Sequence, residues 1–297
     1  MDNDQVELAL QAFENSIFRV QWRLRAASKR RLILDVLALC TGLRPVVMVD
    51  YGGKVPELQE RLCSVLNLVH KESSFFLPLR VMIIEEMVYL VHIEGFSQHV
   101  LSSLSLQWQL QFVDLDQDPP KIISYQGQNS VASQLIAVQN LFSVAFSSEG
   151  TNNLFMGATP SRDVLVPSQP SQCIDLSSCL ENSKVVIPTL NGWLLGYPVV
   201  YLFSKEHTSH AVCNLSTRPL HIFKILVGRK GASARENSQE EELMSFTVPY
   251  ELSTEGRNEA WAQEFLTHML LKIAKCKNIW RHLRMEVIEC SPQSIAL

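Results

Sequence analysis

The chain has 297 residues, of which 46% are hydrophobic and 19% are charged, and its formal net charge at pH 7 is -4. This length suits one large domain or two small ones, and the hydrophobic content excludes a globally disordered chain. The mild acidity argues against a general nucleic-acid or membrane-surface binder, because such proteins are usually strongly basic.

The cysteines are scattered along the chain, with no CxxC pair and no zinc-finger spacing. The N-terminal stretch MDNDQVELAL is acidic and lacks the form of a signal peptide. Both observations predict free thiols in a reducing compartment. No apolar run approaches the roughly 20 residues that a membrane-spanning helix requires. We therefore expect a soluble intracellular protein, in the cytoplasm or the nucleus.

The first predicted elements are helices across residues 4–42. Leu10, Phe13 and Ile17 recur at helical spacing, and a second apolar stripe follows the break AASK at 26–29. Between the stripes lie the basic residues Arg19, Arg23, Arg25, Lys29, Arg30 and Arg31. They indicate the solvated face of an amphipathic helix, with a nuclear-import signal or a patch for an anionic partner as the alternative.

Strand and helix patterns then alternate. RPVVMVDYGG (44–53) predicts a strand that ends in acid, and WQLQFVDLDQDPP (108–120) repeats that pattern. LRVMIIEEMVYLVHI (79–93) predicts two strands around its acidic pair. Helices are predicted within 55–69, 96–106 and 130–147. This alternation is typical of an α/β sheet with parallel portions.

The composition changes at residue 148. Residues 148–187 are rich in Ser, Asn, Gln and Pro, which predicts a long flexible loop. The stretch NGWLLGYPVVYLFS (191–204) follows it. Gly192 and Gly196 mark one thin face of a predicted helix, Pro198 ends that helix, and the apolar run after it predicts a central strand.

The last part of the chain predicts mainly strands. Antiparallel strands are expected within 210–228 and 243–252, joined by a turn and a mobile polar loop, before a helix at 257–276 and a strand at 285–290. We therefore predict one α/β domain at 32–297, with a mixed sheet, helices on both faces and a long flexible insertion at about 148–187. Residues 1–31 are predicted to be an N-terminal helical extension.

Several blocks of this sequence occur together in one known family. LRPVVMVDYG, LQFVDLD, LLGYPVVYLF, NLSTRPLHIF, SFTVP and the final SIAL resemble the uncharacterised vertebrate family named after chromosome 1 open reading frame 74. The resemblance covers roughly residues 32–297, apart from the 148–187 insertion. The resemblance supplies no activity, cofactor or catalytic residue to carry over to this chain, and it does not exclude catalysis.

The acidic strand ends are the first candidate site. Asp50 follows VVMV, and Asp114 and Asp116 follow LQFV. Ligands of open α/β sheets bind at the carboxyl ends of strands, so adjacent parallel strands would bring these carboxylates together. Such a cluster suits Mg²⁺ and a phosphate-bearing ligand. The alternative, which we favour, is that each Asp caps a helix or ends a strand at the solvent.

Two groups of residues would add ligand contacts. Gly52, Gly53 and Lys54 offer a flexible turn and a positive charge, although the P-loop pattern GxxxxGK[ST] is absent. Trp193 and Tyr197 lie beside the glycine face of the predicted helix, where a ligand would touch them. Close packing of that helix on a sheet explains the same glycines without a ligand, and we favour this interpretation.

A cysteine and a histidine form the last candidate. A three-residue hairpin loop would bring Cys213 and His221 together as an activated nucleophile. A two-residue loop would place them on opposite faces of the sheet. The register stays open at this point, and a structural role for Cys213 is favoured. The sequence has no zinc-site spacing and no hydrolase motif.

Two functions from different classes fit these observations. Our prediction is an uncharacterised non-catalytic protein that works through protein partners, with no nucleic-acid partner and no membrane span. The alternative is a hydrolase or phosphoryl-transfer enzyme that holds a divalent metal such as magnesium at its acidic strand ends. The sequence does not decide whether the chain is an enzyme.

Overall fold

The computed structural model describes residues 3–105, 110–123, 130–146, 172–230 and 240–295. The described helices are α1 (Asn3–Arg19), α2 (Ala26–Cys40), α3 (Glu57–Glu72), α4 (Ile93–Leu104), α5 (Ser130–Ala145), α6 (Ile187–Leu194), α7 (Thr208–Ser216) and α8 (Ala260–Lys275). The described strands are β1 (Val46–Met48), β2 (Leu79–Ile84), β3 (Met87–His92), β4 (Gln111–Asp114), β5 (Lys121–Ile123), β6 (Cys173–Asp175), β7 (Val199–Leu202), β8 (Leu220–Arg229), β9 (Glu240–Pro249) and β10 (Trp280–Cys290).

The predicted mixed α/β fold is confirmed, and its strands divide among three sheets within the described residues. The sheets have the strand orders β1-β3-β2-β6, β5-β4-β7 and β10-β8-β9. The pairs β2–β6 and β4–β7 are parallel, whereas the other paired strands are antiparallel. The antiparallel pairs include the predicted two strands around Glu85, whose φ of 54° closes the tight turn between β2 and β3.

The four-stranded sheet lies between two clusters of buried apolar side chains. Val81 and Ile83 of β2 belong to one cluster, and Met82 and Ile84 belong to the other. This alternation follows from the two-residue period of a strand. Helices α1, α2, α3 and α8 contribute to the first cluster, while α4, α5 and α6 contribute to the second. Helices therefore cover both faces of this sheet, as predicted.

The break between the two N-terminal helices lies before the position that the sequence predicted. The AASK stretch begins α2 instead of breaking the helix, and the turn falls before it, where Gln21 has a φ of 58°. In α1, Phe13 and Val6 are fully buried in the first cluster. Helix α2 continues across residue 31. The division into an extension at 1–31 and a domain at 32–297 stays a prediction.

The stretch 191–204 folds as a helix, a bend and a strand, as predicted. A Cβ atom on Gly192 of α6 would lie 3.4 Å from the Cα of Val200 in β7, so the glycine permits close helix–strand packing. Gly196 instead follows the helix with a φ of 72°. The prediction that 199–203 forms a central strand was wrong. Among the described strands of this sheet, β4 is in the middle and β7 is at the edge.

The predicted long loop is only partly described. Residues 147–171 lie outside the described part of the chain, whereas Cys173–Asp175 forms β6 beside β2. Most of the predicted polar loop at 228–242 also lies outside, at 231–239. The flanking strands β8 and β9 pair antiparallel, as predicted. Within the described residues, no helix is long and apolar enough to span a bilayer.

The predicted strand at residues 210–216 was wrong, because the segment lies in helix α7. Its buried residues Ala211, Asn214 and Leu215 recur at spacings of three and four, which places them on one helical face. Cys213 lies on the exposed side of that helix. His221 is the second residue of β8, and its Nδ1 lies 2.9 Å from the carbonyl oxygen of Ser253. The hairpin that either register required is therefore absent from this segment.

We predict that Asn214→Ala lowers the free energy of unfolding by about 1–3 kcal/mol, since it leaves buried backbone acceptors unpaired. The Asn214 side-chain amide donates to the carbonyls of Leu115 and Gln117, each at 2.9 Å. Chemical denaturation measures the change. The exposed neighbour provides a control, because Cys213→Ala should stay within about 0.5 kcal/mol of the wild type. Equal effects of the two substitutions would contradict this role for the amide.

Candidate functional site

The predicted acidic site is distributed over two sheets. Asp50 is exposed after β1 of the four-stranded sheet, whereas Asp114 ends β4 of the β5-β4-β7 sheet. Asp114 Oδ1 accepts a hydrogen bond from the backbone N–H of Asp116 at 3.0 Å, and its Oδ2 accepts from Gln117 Nε2 at 3.0 Å. These bonds fit the favoured interpretation, in which the Asp stabilises the turn after its strand.

Asp116 has local partners as well. Its carboxylate accepts from the backbone N–H of Ser204 at 3.3 Å and lies 3.3 Å from Nδ1 of His207. Asp116 therefore connects the end of β4 to the segment after β7. Across the described residues, no group of three or more His, Cys, Asp or Glu side chains could hold a metal ion. The magnesium site stays a prediction without a described set of donors.

The glycine turn after β1 has a structural explanation. The carbonyl of Gly52 accepts from Trp22 Nε1 at 2.8 Å and from Arg61 Nη1 at 3.3 Å. Gly53 and Lys54 are exposed beside it, and the Lys54 carbonyl accepts from the N–H of Leu58 at 2.8 Å at the start of α3. These contacts hold the turn against α3 and the segment that connects α1 to α2.

The two aromatic candidates differ in their surroundings. Trp193 is fully buried, and its Nε1 donates to Ser103 Oγ at 3.0 Å. Its ring centroid lies 5.7 Å from those of Phe142 and His99. The ring of Tyr197 is half-buried at 5.7 Å from Phe246. Trp193 is therefore a core residue, but Ser103 and His99, which it contacts, both line a cavity.

This cavity has a volume of about 420 Å³ and lies between α4, α8 and the segment that leads into β1. Its apolar lining includes Met244, Phe265 and Met269, while Ser102 and Ser103 add hydroxyl groups. The basic side chains that line it are Arg44, Lys272, Lys275, His99 and His268, and no Asp or Glu is among its lining residues. We call it the basic cavity. The positive charges of Arg44, Lys272 and Lys275 therefore meet at one concave, partly apolar cavity.

Arg44 is the most deeply buried of these basic residues, with 4% of its surface exposed. Its Nη1 donates to the Leu243 carbonyl at 3.3 Å and its Nη2 to the Leu195 carbonyl at 3.5 Å. Its Nε–H has no hydrogen-bond partner among the described residues. Burial lowers the pKa of Arg44, and the nearby Asp35 only partly opposes this effect.

Asp35 is already engaged by other groups. It forms an ion pair with Arg31 at 3.0 Å, and Tyr51 Oη donates to it at 3.2 Å. Burial raises the pKa of Asp35 despite these partners. Buried charges are normally paired and fully hydrogen-bonded. Asp35 therefore does not pair with the Arg44 Nε–H, which stays without a partner among the described residues.

The pKa values of Lys272, His99 and His268 are lowered in this buried, positively charged environment. Burial, with the charges of Lys275 and Arg44, lowers the pKa of Lys272 to about 8. Burial also lowers the pKa of His99 to about 4, and the same cause lowers that of His268 to about 4. His99 Nε2 lies 2.9 Å from the Trp193 carbonyl, which only accepts, so Nε2 carries the hydrogen and Nδ1 is left as an acceptor.

Sequence reasoning missed the basic cavity because its cations come from separate segments. Lys272 and Lys275 are three apart on the clearest predicted helix, which places both near one face, but such pairs usually mark a solvated surface. Arg44 lies two residues before β1 and is separated from it by Pro45. A charged residue this close to a buried strand was the one local signal available.

Comparison with known proteins places the chain in a family. Residues 14–297 match the family described as a domain of unknown function (DUF4504), and the chain therefore belongs to this uncharacterised family. Neither the curated proteins nor the solved structures gave a match.

We predict that Gly52→Ala destabilises the fold more than Gly42→Ala. Both glycines have positive φ, 83° and 72°, so each alanine loses about 1–2 kcal/mol in backbone energy. Only at Gly52 would the added Cβ meet other atoms, at 2.5 Å from Leu24 Cδ2 and 3.0 Å from Trp22. Gly42 has nothing within 4 Å and is the matched control. Equal losses in denaturation would show that the packing at Gly52 has no energetic weight.

We also predict that Lys272→Met stabilises the unliganded protein at pH 7 by roughly 1–2 kcal/mol, after allowance for screening. The pKa of Lys272 is about 8 in the folded state, below that of an unfolded lysine. The unfolded state therefore binds more protons between these values, so stability rises with pH above about 8. The variant should lose that rise in denaturation experiments at pH 7 and pH 9.5. Destabilisation at pH 7 would contradict the repulsion argument.

Proposed function

We propose that this DUF4504 member binds a small organic anion in the basic cavity. The observation that carries the proposal is the convergence of Arg44, Lys272 and Lys275 on one cavity whose lining includes no acidic residue. Cations that are brought together without counter-charges repel one another. An anion between them would remove that repulsion and would accept charge-assisted hydrogen bonds from these side chains.

The size and composition of the cavity support a small molecule. Ligand pockets commonly enclose about 300–1,000 Å³, with mostly apolar walls and a few polar groups. The basic cavity encloses about 420 Å³ and combines Met244, Phe265 and Met269 with its cations. We therefore propose a phosphate or carboxylate group joined to an apolar body. The anionic group would lie near Arg44 and Lys272, and the apolar body against the Phe265 side.

The two functions predicted from the sequence, action through protein partners and metal-dependent catalysis, are not equally favoured beside this proposal. Action through protein partners, in the cytoplasm or nucleus, stays a prediction from composition and cysteine usage. A metal-dependent hydrolase or phosphoryl-transfer activity is less favoured, because Asp114 and Asp116 are engaged by the turn and by the segment after β7. Assignment to the vertebrate family named after chromosome 1 open reading frame 74 is likewise proposed from its sequence blocks.

Phenyl phosphate is a suitable probe, because it joins an anion to an apolar ring. We expect it to raise the melting temperature of the wild type, since a ligand that binds the folded state stabilises it by mass action. Phenol at the same concentration, with ionic strength matched by sodium chloride, should have no such effect. Calorimetry then gives the dissociation constant.

Variants test where the probe binds. Lys272→Met should weaken binding by at least about tenfold, as expected for the loss of a charge-assisted hydrogen bond. The control is Lys277→Met, since Lys277 is exposed and lies outside the lining of the basic cavity. Equal weakening in both variants, or no response to phenyl phosphate in the wild type, would refute the proposed site.

A further inference from the structure

Two cysteines that are far apart in sequence meet where α3 packs on the edge of the four-stranded sheet. Cys63 lies on α3, and Cys173 begins β6, the edge strand next to β2. Both side chains are partly buried against the first apolar cluster, while Ile174, the next residue of β6, points into the second. This alternation directs Cys173 to the face that α3 covers.

The two thiols are hydrogen-bonded to each other. The bond raises the pKa of Cys63 and lowers that of Cys173. Gln59 Nε2 donates a second hydrogen bond to Cys173 Sγ at 3.2 Å. Gln59 and Cys63 are four residues apart on α3, so both project from one face towards the same sulfur.

This arrangement gives the two sulfurs different chemical roles. Hydrogen bonds to a thiolate favour it over the thiol, and the thiolate is the reactive nucleophile. The hydrogen bonds with Cys63 and Gln59 therefore favour the thiolate of Cys173, although burial and the nearby Asp175 carboxylate oppose this effect. Burial instead raises the pKa of Cys40, Cys179 and Cys276.

We propose that Cys173 and Cys63 form a thiol oxidation site whose co-substrate is a hydroperoxide. The Cys173 thiolate attacks the peroxide O–O bond, forms a sulfenic acid and releases hydroxide, or alkoxide from an organic peroxide. Cys63 loses its proton and attacks the sulfenic sulfur, and a hydroxyl group leaves as water. The two thiols are oxidised by two electrons, and the peroxide is reduced. The product is a disulfide that joins α3 to β6.

Hydrogen peroxide at a stoichiometric amount tests this site on the full, reduced chain. Non-reducing peptide mapping should show one peptide that contains both Cys63 and Cys173, and dithiothreitol should separate it. In Cys63→Ser the crosslink should be lost, and dimedone should label Cys173 as a trapped sulfenic acid. In Cys173→Ser neither the crosslink nor dimedone labelling of Cys63 should form.

Two further variants separate this chemistry from general oxidation. Cys213→Ser removes an exposed thiol on another helix and should leave the crosslink at its wild-type rate. Gln59→Leu removes one donor to Cys173 and should slow crosslinking severalfold while circular dichroism stays unchanged. Oxidation of Cys213 ahead of Cys173, pairing of either cysteine with a different thiol, or an unaltered rate in Gln59→Leu would overturn the proposal.

Discussion

The basic cavity depends on a buried carbonyl that two arginines share. The register of β8 and β9 shifts so that Ile225 pairs with Met244 and Leu226 with Glu242, which leaves Leu243 as the extra residue of a bulge. A bulged residue loses its ladder partner, and its buried carbonyl needs another donor. Arg31 Nη2 supplies one at 3.0 Å and Arg44 Nη1 another at 3.3 Å. The bulge thus anchors both guanidinium groups at the junction of α2, β1 and β9.

Arg44, Lys272 and Lys275 line the basic cavity, and no acidic residue is among its lining residues. Asp35 is the nearest acid, but it pairs with Arg31 and accepts from Tyr51. Arg44 keeps an unpaired Nε–H, and Lys272 and Lys275 approach from α8. Uncompensated buried charge costs free energy that the rest of the fold must offset. An anion bound in the cavity would supply a counter-charge for these cations, which is the reason for preferring an anion site to a purely structural cluster.

The sequence predicted most of the local structure and little of the candidate site, and the reason is physical. Helical spacing in α8, the two strands around Glu85 and close packing at Gly192 depend on residues near one another in the chain. Separation of β1 and β4 into different sheets depends on long-range pairing, so the expected meeting of Asp50 and Asp114 had no local test. In α7 a short apolar pattern suited both strand and helix, and the packing of Asn214 on the Leu115 carbonyl fits only the helix.

The residues that stand out in the sequence differ from those that line the basic cavity. The acids and glycines of 50–54 and 114–116 stand out in the sequence because turns need them, and the described contacts at Gly52, Asp114 and Asp116 are with the chain itself. Arg44, Lys272 and His99 sit in ordinary helical or strand-leading positions and gain their character only from burial beside like charges. In a family without a known activity, cations gathered around a cavity without acidic partners are a better guide to a ligand than a polar motif whose bonds the fold already uses.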